Sequence, residues 1–276
     1  MMLKVGKVDR KILAFNLLSI SLNLSPPFFH RRDKMEKKRP LMFVGPYPYQ
    51  LNHTYLGMMA QEERMNLVAN NMANVNTPGY KKDVPVFEGY LVKQSKTYFG
   101  EGHMEYTERD LDIALHGPGF FQIETDAGVR YSRNGNFKIN SDGQIVTMDG
   151  YPLVGAGFAP EGYQKVIIEP EGRVQAVNQD GDFEEIGQIE IVEFDDPNML
   201  IKEGYDFYVP KSPAFEAQPA ENTTVEQGYL EKSNVNAVNE SVQMIELYRI
   251  YEALQKIVHT KQEMDEKAIG QLGKLT

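Results

Sequence analysis

An apolar stripe near each end of the chain constrains the fold more than any other feature of this sequence. Between Val235 and Leu275, ten positions follow one another at alternating spacings of three and four residues, and eight of them are apolar. Such spacing places the ten side chains on one side of an α-helix and is typical of helices that pack lengthwise together. The ten positions are Met244, Leu247, Tyr251, Leu254, Val258, Lys261, Asp265, Ala268, Leu272 and Leu275.

A second stripe predicts another helix from Leu51 to Met72. Its members again lie three and four residues apart, with a single polar break at Glu62. Three of them are methionines, whose flexible side chains adapt to irregular partner surfaces. The stripe consists of Leu51, Tyr55, Met58, Met65, Ala69 and Met72.

The lengths of the two helices predict that they pair and that the pair leaves apolar surface uncovered. A helix of about 40 residues reaches about 60 Å, which exceeds the diameter of a small domain, so its stripe needs another long helix. The C-terminal helix also carries a second apolar strip, made of Val238, Val242 and Ile245. The N-terminal helix is too short to cover both strips, and exposed apolar surface of this kind indicates contacts with other subunits.

The middle of the chain has the turn-rich pattern of a β-domain built from hairpins. Clusters of Gly, Asn, Asp and Pro recur every several residues, with short alternating or apolar runs between them. We therefore predict an α+β fold, in which long N- and C-terminal helices pair as a coiled-coil-like stalk beside a central all-β domain. The predicted divisions are an extension over 1–48, a helical assembly domain over 49–82 and 226–276, and the β-domain over 83–225.

The first 48 residues are predicted to be a poorly ordered basic extension. Residues 1–50 hold ten Lys and Arg against three Asp and Glu, whereas the rest of the chain holds nineteen against thirty-six. The apolar run Ile12–Leu24 has 13 residues, too few to span a bilayer, and no small-residue cleavage site follows it. We expect no membrane insertion and favour a leader, or sequence upstream of a true start at Met35 or Met42, over a signal peptide. Nucleic-acid binding is not expected of the acidic main body.

Residue types that carry chemistry are present but scattered. The chain has no cysteine, and its five histidines do not fall in metal-ligand spacings. The stretch HGPGFF fails the phosphate-loop pattern and predicts a tight turn before a strand at Phe120–Glu124. Asp110 and Asp112 are spaced as the carboxylate pair of a carbohydrate-active enzyme, but without a partner base we interpret them as solvated charges. We therefore expect no enzyme activity, no cofactor and no small-molecule substrate.

The stretch VANNMANVNTPGYKKD, residues 68–83, places four asparagines at the end of the predicted N-terminal helix. Asn74 and Asn76 are suited to cap the last helical carbonyls or to adopt the left-handed conformation. Pro78 then blocks further helix, and Gly79 allows a turn. Asn70 and Asn71 still lie on the helix and are expected to exchange hydrogen bonds with a neighbouring subunit. At the other end, Asn234 or Asn236 is expected to cap the C-terminal helix.

Three segments together resemble the family of bacterial flagellar basal-body rod and hook proteins. The first, MAQEERMNLVANNMANVNTPGYKKD, is similar to the N-terminal signature of that family. The second, GPGFFQI…YSRNGNFKINSDGQIVTMDGYPLVG, is similar to the central β-domain, and the third, QGYLEKSNVNAVNESVQMIELYRIYEALQKIV, to the C-terminal motif. The matching positions of the first are Asn70, Asn71, Ala73, Asn74, Thr77, Gly79, Tyr80 and Lys81.

The resemblance implies a structural subunit of the flagellar rod that has other rod subunits as its partners. It implies export through the flagellar type III apparatus and a location in the periplasm-spanning rod of the basal body. The ending MDEKAIGQLGKL is most similar to the proximal-rod type, and a distal-rod or hook-type subunit is the alternative. A secreted adhesin with a coiled coil is a further alternative. The expected assembly residues are Asn70, Asn71, Asn74, Thr77, Gly79, Tyr80, Met58, Met65, Met72, Leu247, Tyr251, Leu254 and Val258.

Overall fold

The structure is a computed structural model that describes residues 48–89, 91–212 and 215–272. All of these residues belong to one compact unit, Gly45–Thr276. The predicted basic extension over 1–48 lies outside the described residues except for Pro48, and so does Leu275 at the end of the predicted C-terminal helix.

The described chain has an α+β fold, with a β-rich central region between two helices. Helix α1 spans Pro48–Ala73, and helix α2 spans Ala237–Leu272, which confirms the predicted C-terminal helix. Asn236 caps the start of α2, because its side-chain oxygen accepts from the Asn239 backbone N–H at 3.0 Å. Of the two expected capping residues, Asn234 has a different role that is described below.

Seventeen short strands and one turn of 3₁₀ helix at Pro197–Met199 make up the described central region, which confirms its hairpin-rich character. The strands are β1 Asp83–Glu88, β2 Leu91–Thr97, β3 Met104–Tyr106, β4 Ile113–His116, β5 Phe120–Thr125, β6 Gly128–Ser132, β7 Phe137–Ile139, β8 Ile145–Thr147, β9 Lys165–Ile168, β10 Arg173–Val177, β11 Phe183–Gln188, β12 Ile191–Glu193, β13 Leu200–Glu203, β14 Phe207–Pro210, β15 Gln218–Pro219, β16 Thr224–Gln227 and β17 Tyr229–Glu231.

A six-stranded antiparallel sheet in the order β13-β14-β6-β5-β12-β15 organises the β-rich region. A three-stranded sheet, β11-β10-β9, and the hairpins β1-β2 and β7-β8 add to it, and the pairs β16-β4 and β17-β3 join distant parts of the chain. Alternate side chains of β5 enter two different cores. Phe121 and Ile123 pack in the larger core with Phe137, whereas Phe120 packs in the smaller one with Tyr208.

Two local predictions for this region are confirmed. The stretch around Asn140 forms the β7-β8 hairpin, in which the Asn140 side chain accepts from the backbone N–H groups of Asp142 and Gln144. HGPG forms a turn in which Gly117 has a φ of 116°, and β5 follows it.

As far as Lys261, the stripe predicted for α2 is its inward face. Leu247 and Val258 are buried, and Met244, Tyr251, Leu254 and Lys261 are half-buried at the intervening positions. After Lys261 every described side chain of α2 is exposed, including the stripe residues Asp265 and Ala268. The second strip is also exposed: Val238 by 72%, Val242 by 50% and Ile245 by 54%.

The stripe predicted for α1 is wrong in register. The buried residues of α1 are Ala60, Val68 and Asn71, whereas Tyr55 and Ala69 of the predicted stripe are exposed. The reason is that α2 approaches α1 at small residues. A methyl group on Gly57 would lie 3.6 Å from Leu254 Cδ1, an ordinary contact distance, so the helices meet at a small residue that a search for large apolar residues overlooks.

Candidate functional site: a buried polar joint

The end of α1, the start of the β-rich region and the approach to α2 meet in a cluster of buried polar side chains. We call this cluster the joint. It consists of Asn71, Tyr80, Lys81, Asp83, Arg133, Lys202, Glu231 and Glu240. The side chains of Lys202 and Asp83 are 12% and 11% exposed, and each of the other members is exposed by less than a tenth.

The asparagines first end the helix. The Asn74 side-chain amide donates to the backbone carbonyl of Asn70 at 2.9 Å, which satisfies one of the free carbonyls at the end of α1. The Thr77 hydroxyl donates to Asn74 Oδ1 at 3.2 Å and ties the turn to the helix end. The expected capping role of Asn74 is therefore confirmed. The alternative left-handed conformation is not used, because Glu108 is the only described non-glycine residue with positive φ.

Gly79 lets the chain pass between two other segments. Its φ is +69°, and a Cβ at this position would lie 2.4 Å from the carbonyl carbon of Arg133. Its backbone N–H donates to the Glu231 carbonyl at 2.7 Å. Only glycine fits both the conformation and the space, so the turn predicted at Gly79 is also the point where the N-terminal segment contacts β17.

Asn71 joins α1 to β1 and to α2. Its Oδ1 accepts from the Asp83 backbone N–H at 2.9 Å, and its Nδ2 donates to the Asp83 carbonyl at 2.9 Å. The Tyr80 hydroxyl lies 3.4 Å from Asn71 Oδ1, and Nδ2 lies 3.4 Å from Glu240 Oε2 on α2. The sequence predicted that Asn71 exchanges hydrogen bonds with a neighbouring subunit. Its backbone partner is instead Asp83 of the same chain.

Lys81 and Arg133 share one buried carboxylate. Lys81 Nζ lies 2.5 Å from Glu231 Oε1, and Arg133 Nη1 lies 3.6 Å from Glu231 Oε2. Lys81 also donates to the Gly100 carbonyl at 3.0 Å, and the Gly102 N–H donates to Glu231 Oε1 at 2.6 Å. Burial lowers the pKa of Lys81 from its ordinary value, and the negative charge of Glu231 opposes that change. The three side chains together carry one more positive charge than negative.

Lys202 connects the joint to the six-stranded sheet. Its Nζ donates to the Lys81 carbonyl at 2.7 Å and to Asp83 Oδ2 at 3.2 Å, and it lies 3.6 Å from the centre of the Tyr80 ring. The pKa of Tyr80 is raised by burial first and then by the charges of Asp83 and Glu240. Tyr80 is therefore a neutral hydrogen-bond donor and an aromatic surface for a cation.

Asn234 links the two termini through backbone groups. Its Oδ1 accepts from the Lys82 N–H at 2.8 Å, and its Nδ2 lies 2.8 Å from the carbonyls of both Tyr98 and Gly100. This is why Asn236, and not Asn234, caps α2. The Asn234 N–H also donates to the Tyr80 carbonyl at 3.3 Å, so the segment before α2 is held to the segment after α1 by both the side chain and the backbone of Asn234.

The predicted site residues fall into three groups. Asn71, Asn74, Gly79 and Tyr80 lie in or beside the joint, and Asn70 is exposed at the helix surface. We call the predicted site residues on the inward stripe of α2 the seam: Leu247 and Val258 are buried there, and Tyr251 and Leu254 are half-buried. Thr77 and the α1 methionines Met58, Met65 and Met72 are also half-buried. The structure brings the asparagine stretch together with the start of α2, but the methionines of α1 lie beside its buried face and not at its centre.

The charged members of the joint were missed in the sequence. Lys81 and Asp83 stand inside the asparagine stretch, and Glu231 and Glu240 stand inside the C-terminal segment, but ordinary charged residues predict solvent exposure. The available signal was the resemblance itself, which includes Lys81 and the LEKS stretch that holds Glu231. The partner Arg133 carries no local signal, because its segment reads as a turn between strands.

Asp112 is also placed differently from the prediction. It is buried rather than solvated, with Oδ1 3.4 Å from the guanidinium of Arg109, whereas Asp110 is exposed and faces Lys165 at 3.5 Å. Neither forms a pair with the other. Within residues 48–89, 91–212 and 215–272 there is also no cluster of three or more His, Asp and Glu side chains that could hold a metal ion.

Among the described helices, neither is long and apolar enough to cross a membrane.

Three family models match separate parts of the chain. Residues 51–81 match the model described as flagella basal body rod protein, and residues 226–271 match flagellar basal body rod FlgEFG protein C-terminal. Residues 114–176 match the flagellar hook protein FlgE/F/G D1 domain.

Curated relatives extend the match to most of the chain. The flagellar basal-body rod protein FlgF of Caulobacter vibrioides is 31% identical over 248 residues, which cover 81% of this chain and 99% of that protein. The chain belongs to the flagellar basal-body rod protein family. FlgG of Agrobacterium fabrum is 32% identical, covering 75% of this chain and 93% of that protein, and FlgG of Bacillus subtilis is 30% identical, covering 78% and 95%.

The joint lies where the terminal parts of this rod protein meet. The first family match ends at Lys81, and the C-terminal match includes Glu231 and Glu240. The ion pair between Lys81 and Glu231 therefore connects two matched segments that are 150 residues apart in the sequence. This protein is a structural rod protein of the flagellar basal body, and its two terminal signatures fold into one polar cluster.

Proposed function

We propose that this protein is a subunit of the shaft of the flagellar rod and that copies assemble through α1 and α2. In this proposal residues 49–82 and 226–276, which hold the two helices, form an assembly domain with a coiled-coil-like stalk. Residues 83–225 form a β-domain on the outside, and residues 1–48 are an extension. The function is mechanical and involves no catalysis: torque passes from one subunit to the next through helix contacts.

The observation that carries the proposal is the apolar surface that α2 leaves uncovered. Val238, Val242 and Ile245 are at least half exposed, and Met264 and Ile269 beyond the contact with α1 are exposed by 59% and 71%. A row of such residues along a 36-residue helix is unfavourable in water. Contacts with α1 or α2 of other subunits would bury it.

The seam and the joint have complementary roles in this proposal. The seam residues Leu247, Tyr251, Leu254 and Val258 hold α2 on α1, with Met58, Met65 and Met72 at the margins of the contact. Asn71 and Tyr80 of the joint, with the adjoining Asn74, Thr77 and Gly79, fix where both helices leave the β-domain. Asn70 is exposed and available to a neighbouring subunit. A rigid connection at this point lets a force on the helices act on the β-domain without loss.

We place the protein in the proximal rod, as a FlgF-type subunit, because of the form of its C-terminal ending. A distal-rod position of the FlgG type is a second candidate, which is favoured by the FlgG relatives of similar identity. In either position the subunit would leave the cell through the flagellar type III export apparatus and lie in the part of the rod that crosses the periplasm.

Deletion of the gene from its own bacterium tests the proposal. We expect non-swimming cells whose isolated basal bodies, seen by electron microscopy, lack the part of the rod next to the inner rings. Loss of only the hook-side part of the rod would support the distal position. Complete rods and normal swimming in the deletion strain would contradict the proposed function. The same strain carrying the intact gene on a plasmid is the control.

A further inference from the structure

The β10-β11 hairpin has an acidic, fully exposed tip. The seven consecutive residues 179–185 are all exposed, and four of them are acidic. Phe183 in their midst is 66% exposed. β11 is an edge strand of its sheet, so its outer N–H and C=O groups at 183–185 have no strand partner. The four acidic residues, Asp180, Asp182, Glu184 and Glu185, make no ion pair with any described side chain.

A groove of about 570 Å³ lies elsewhere in the same chain, between β2 and β13. Consecutive residues of both strands line it, 94–97 on β2 and 200–202 on β13. Because successive side chains of a strand point to opposite faces, a run of consecutive lining residues shows that the strand edges face the groove. Each of these strands pairs with a neighbour on one side only, so both edges are unpaired. Unpaired edges of this kind accept an additional strand.

The walls of the groove combine positive charge with apolar surface. Lys96 and Lys211 are exposed there, and Lys96 has no ion pair among the described residues. Met199 and Ile201 are exposed by 38% and 47%. Of the two carboxylates in the groove, Asp83 is paired with Lys202 at 3.2 Å. Asp196 is exposed and accepts from the N–H of Asn198 at 3.0 Å, so the three lysines Lys96, Lys202 and Lys211 exceed the carboxylates by one charge.

We propose that the acidic hairpin of one copy of this protein occupies the groove of the next copy. The four carboxylates then face Lys96 and Lys211, Phe183 lies on Met199 and Ile201, and the free edge of β11 lies beside unpaired strand edges. Acid against lysine sets the orientation, and the buried aromatic ring supplies apolar contact. The contact is distinct from the helix surface, although it rests on the proposed self-assembly of the chain.

Hairpin and groove are different surfaces, so the contact is head-to-tail. Each copy offers its hairpin to one neighbour and its groove to another, and such a contact continues along an array instead of closing in a symmetric dimer. A subunit of an extended shaft requires this kind of contact.

Disulfide trapping tests the contact, because the chain has no cysteine of its own. The deletion strain is made to express a variant with both Lys96→Cys and Glu184→Cys. Its isolated basal bodies are then oxidised and run on a non-reducing gel. We expect a ladder of dimers, trimers and longer species. Cells that express the two single variants together should give dimers without a ladder, because each copy then carries half of the contact. The control pairs Lys96→Cys with Glu161→Cys, an exposed position on another loop.

The outcomes separate this inference from the proposed function. If the protein is present in intact basal bodies but the double variant gives no ladder, the groove contact is wrong and helix-mediated assembly stands. If the protein is absent from basal bodies, both are wrong. A ladder of equal strength in the Glu161 control also overturns the contact, since the trapping would then be unspecific.

A charge exchange gives an independent measurement. Lys96→Glu with Lys211→Glu, or Asp182→Lys with Glu184→Lys, should each lower the fraction of protein in assembled rods by about tenfold, because like charges then meet. Combining all four substitutions should recover most of the loss. A combination no better than either pair would contradict the proposed contact.

Discussion

At the scale of single residues, the part of the joint around Glu231 holds two cations and one anion away from water. Lys81 and Arg133 are 1% and 3% exposed, and both depend on the carboxylate of Glu231. Removing one member of a buried ion pair leaves its partner without compensation, which is more damaging than the loss of a surface pair. The removal of Glu231 leaves two buried cations, so it is the most sensitive position of the joint.

We therefore predict that Glu231→Gln lowers the free energy of unfolding by about 3–5 kcal/mol. The matched control is Glu105→Gln on β3, next to β17, whose carboxylate lies 2.5 Å from Lys232 Nζ but is 51% exposed. Its loss should lower stability by about 0–1 kcal/mol. Urea unfolding of the purified proteins measures both values. Equal effects of the two substitutions would show that burial of the Glu231 cluster has no energetic consequence.

Because of Tyr208, we predict that the free energy of unfolding falls at alkaline pH. Burial, more than the nearby Asp83 and Asp206, raises its pKa above the ordinary value of 10.0. Below pH 10 both the folded and the unfolded tyrosine keep the proton. Above it only the unfolded form releases the proton, so the free energy of unfolding falls by about 1.4 kcal/mol per pH unit. Lys81 and Lys202 have pKa values below the ordinary 10.5, so the folded protein releases their protons before the unfolded chain does. Below pH 10.5 they therefore make the free energy of unfolding rise with pH.

Comparison with Tyr208→Phe isolates this contribution, because both lysines remain in the variant. The Tyr208 hydroxyl has no hydrogen-bond partner among the described residues, so its removal should not lower stability at pH 7. Between pH 10 and pH 11 the variant should lose less stability than the wild type, as measured by urea unfolding at a series of pH values. If the free energy of unfolding fell equally with pH in the variant and the wild type, Tyr208 would ionise normally in the folded protein.

At the scale of elements, the contact between α1 and α2 depends on small residues. Leu254 lies against Gly57, where a methyl group would make an ordinary contact at 3.6 Å from Leu254 Cδ1. Gly57→Ala should therefore raise the free energy of unfolding by about 0.5–1 kcal/mol, because alanine favours the helix and still fits. Gly57→Leu should lower it by about 1–3 kcal/mol, because the larger side chain separates the helices. Thermal unfolding of both variants tests this; stabilisation by leucine would contradict the contact.

The elements were more predictable from the sequence than their contacts. The spacing of apolar residues on α2 was enough to predict the helix and its inward face as far as Lys261, because large side chains form that face. On α1 the inward face contains Gly57, the small Ala60 and the polar Asn71, so Val68 is its one large buried apolar residue among those described, and the predicted face was displaced. The hairpins were predictable because their turns need Gly and Asn locally. The joint was not, because its partners are up to 169 residues apart, as for Asn71 and Glu240.

At the scale of the whole described unit, the protein combines a buried polar joint with an apolar helix surface that the chain leaves uncovered. The hydrogen bonds and ion pairs that the joint makes lie within one chain, whereas Val242 and Ile245 of the second strip on α2 are at least half exposed. The proposed account is that the first feature fixes the direction of the helices and the second provides the contact between copies. Folding and assembly should then be separable by mutation.

The most direct test is Val242→Asp, compared with Gln243→Asp at the neighbouring exposed position of α2. Each variant replaces the protein in the deletion strain, and the rods of isolated basal bodies are counted by electron microscopy. The account predicts that both purified proteins melt like the wild type, but that only Val242→Asp fails to form rods and to support swimming. Complete rods and normal swimming with Val242→Asp would contradict the claim that this strip is covered by other subunits.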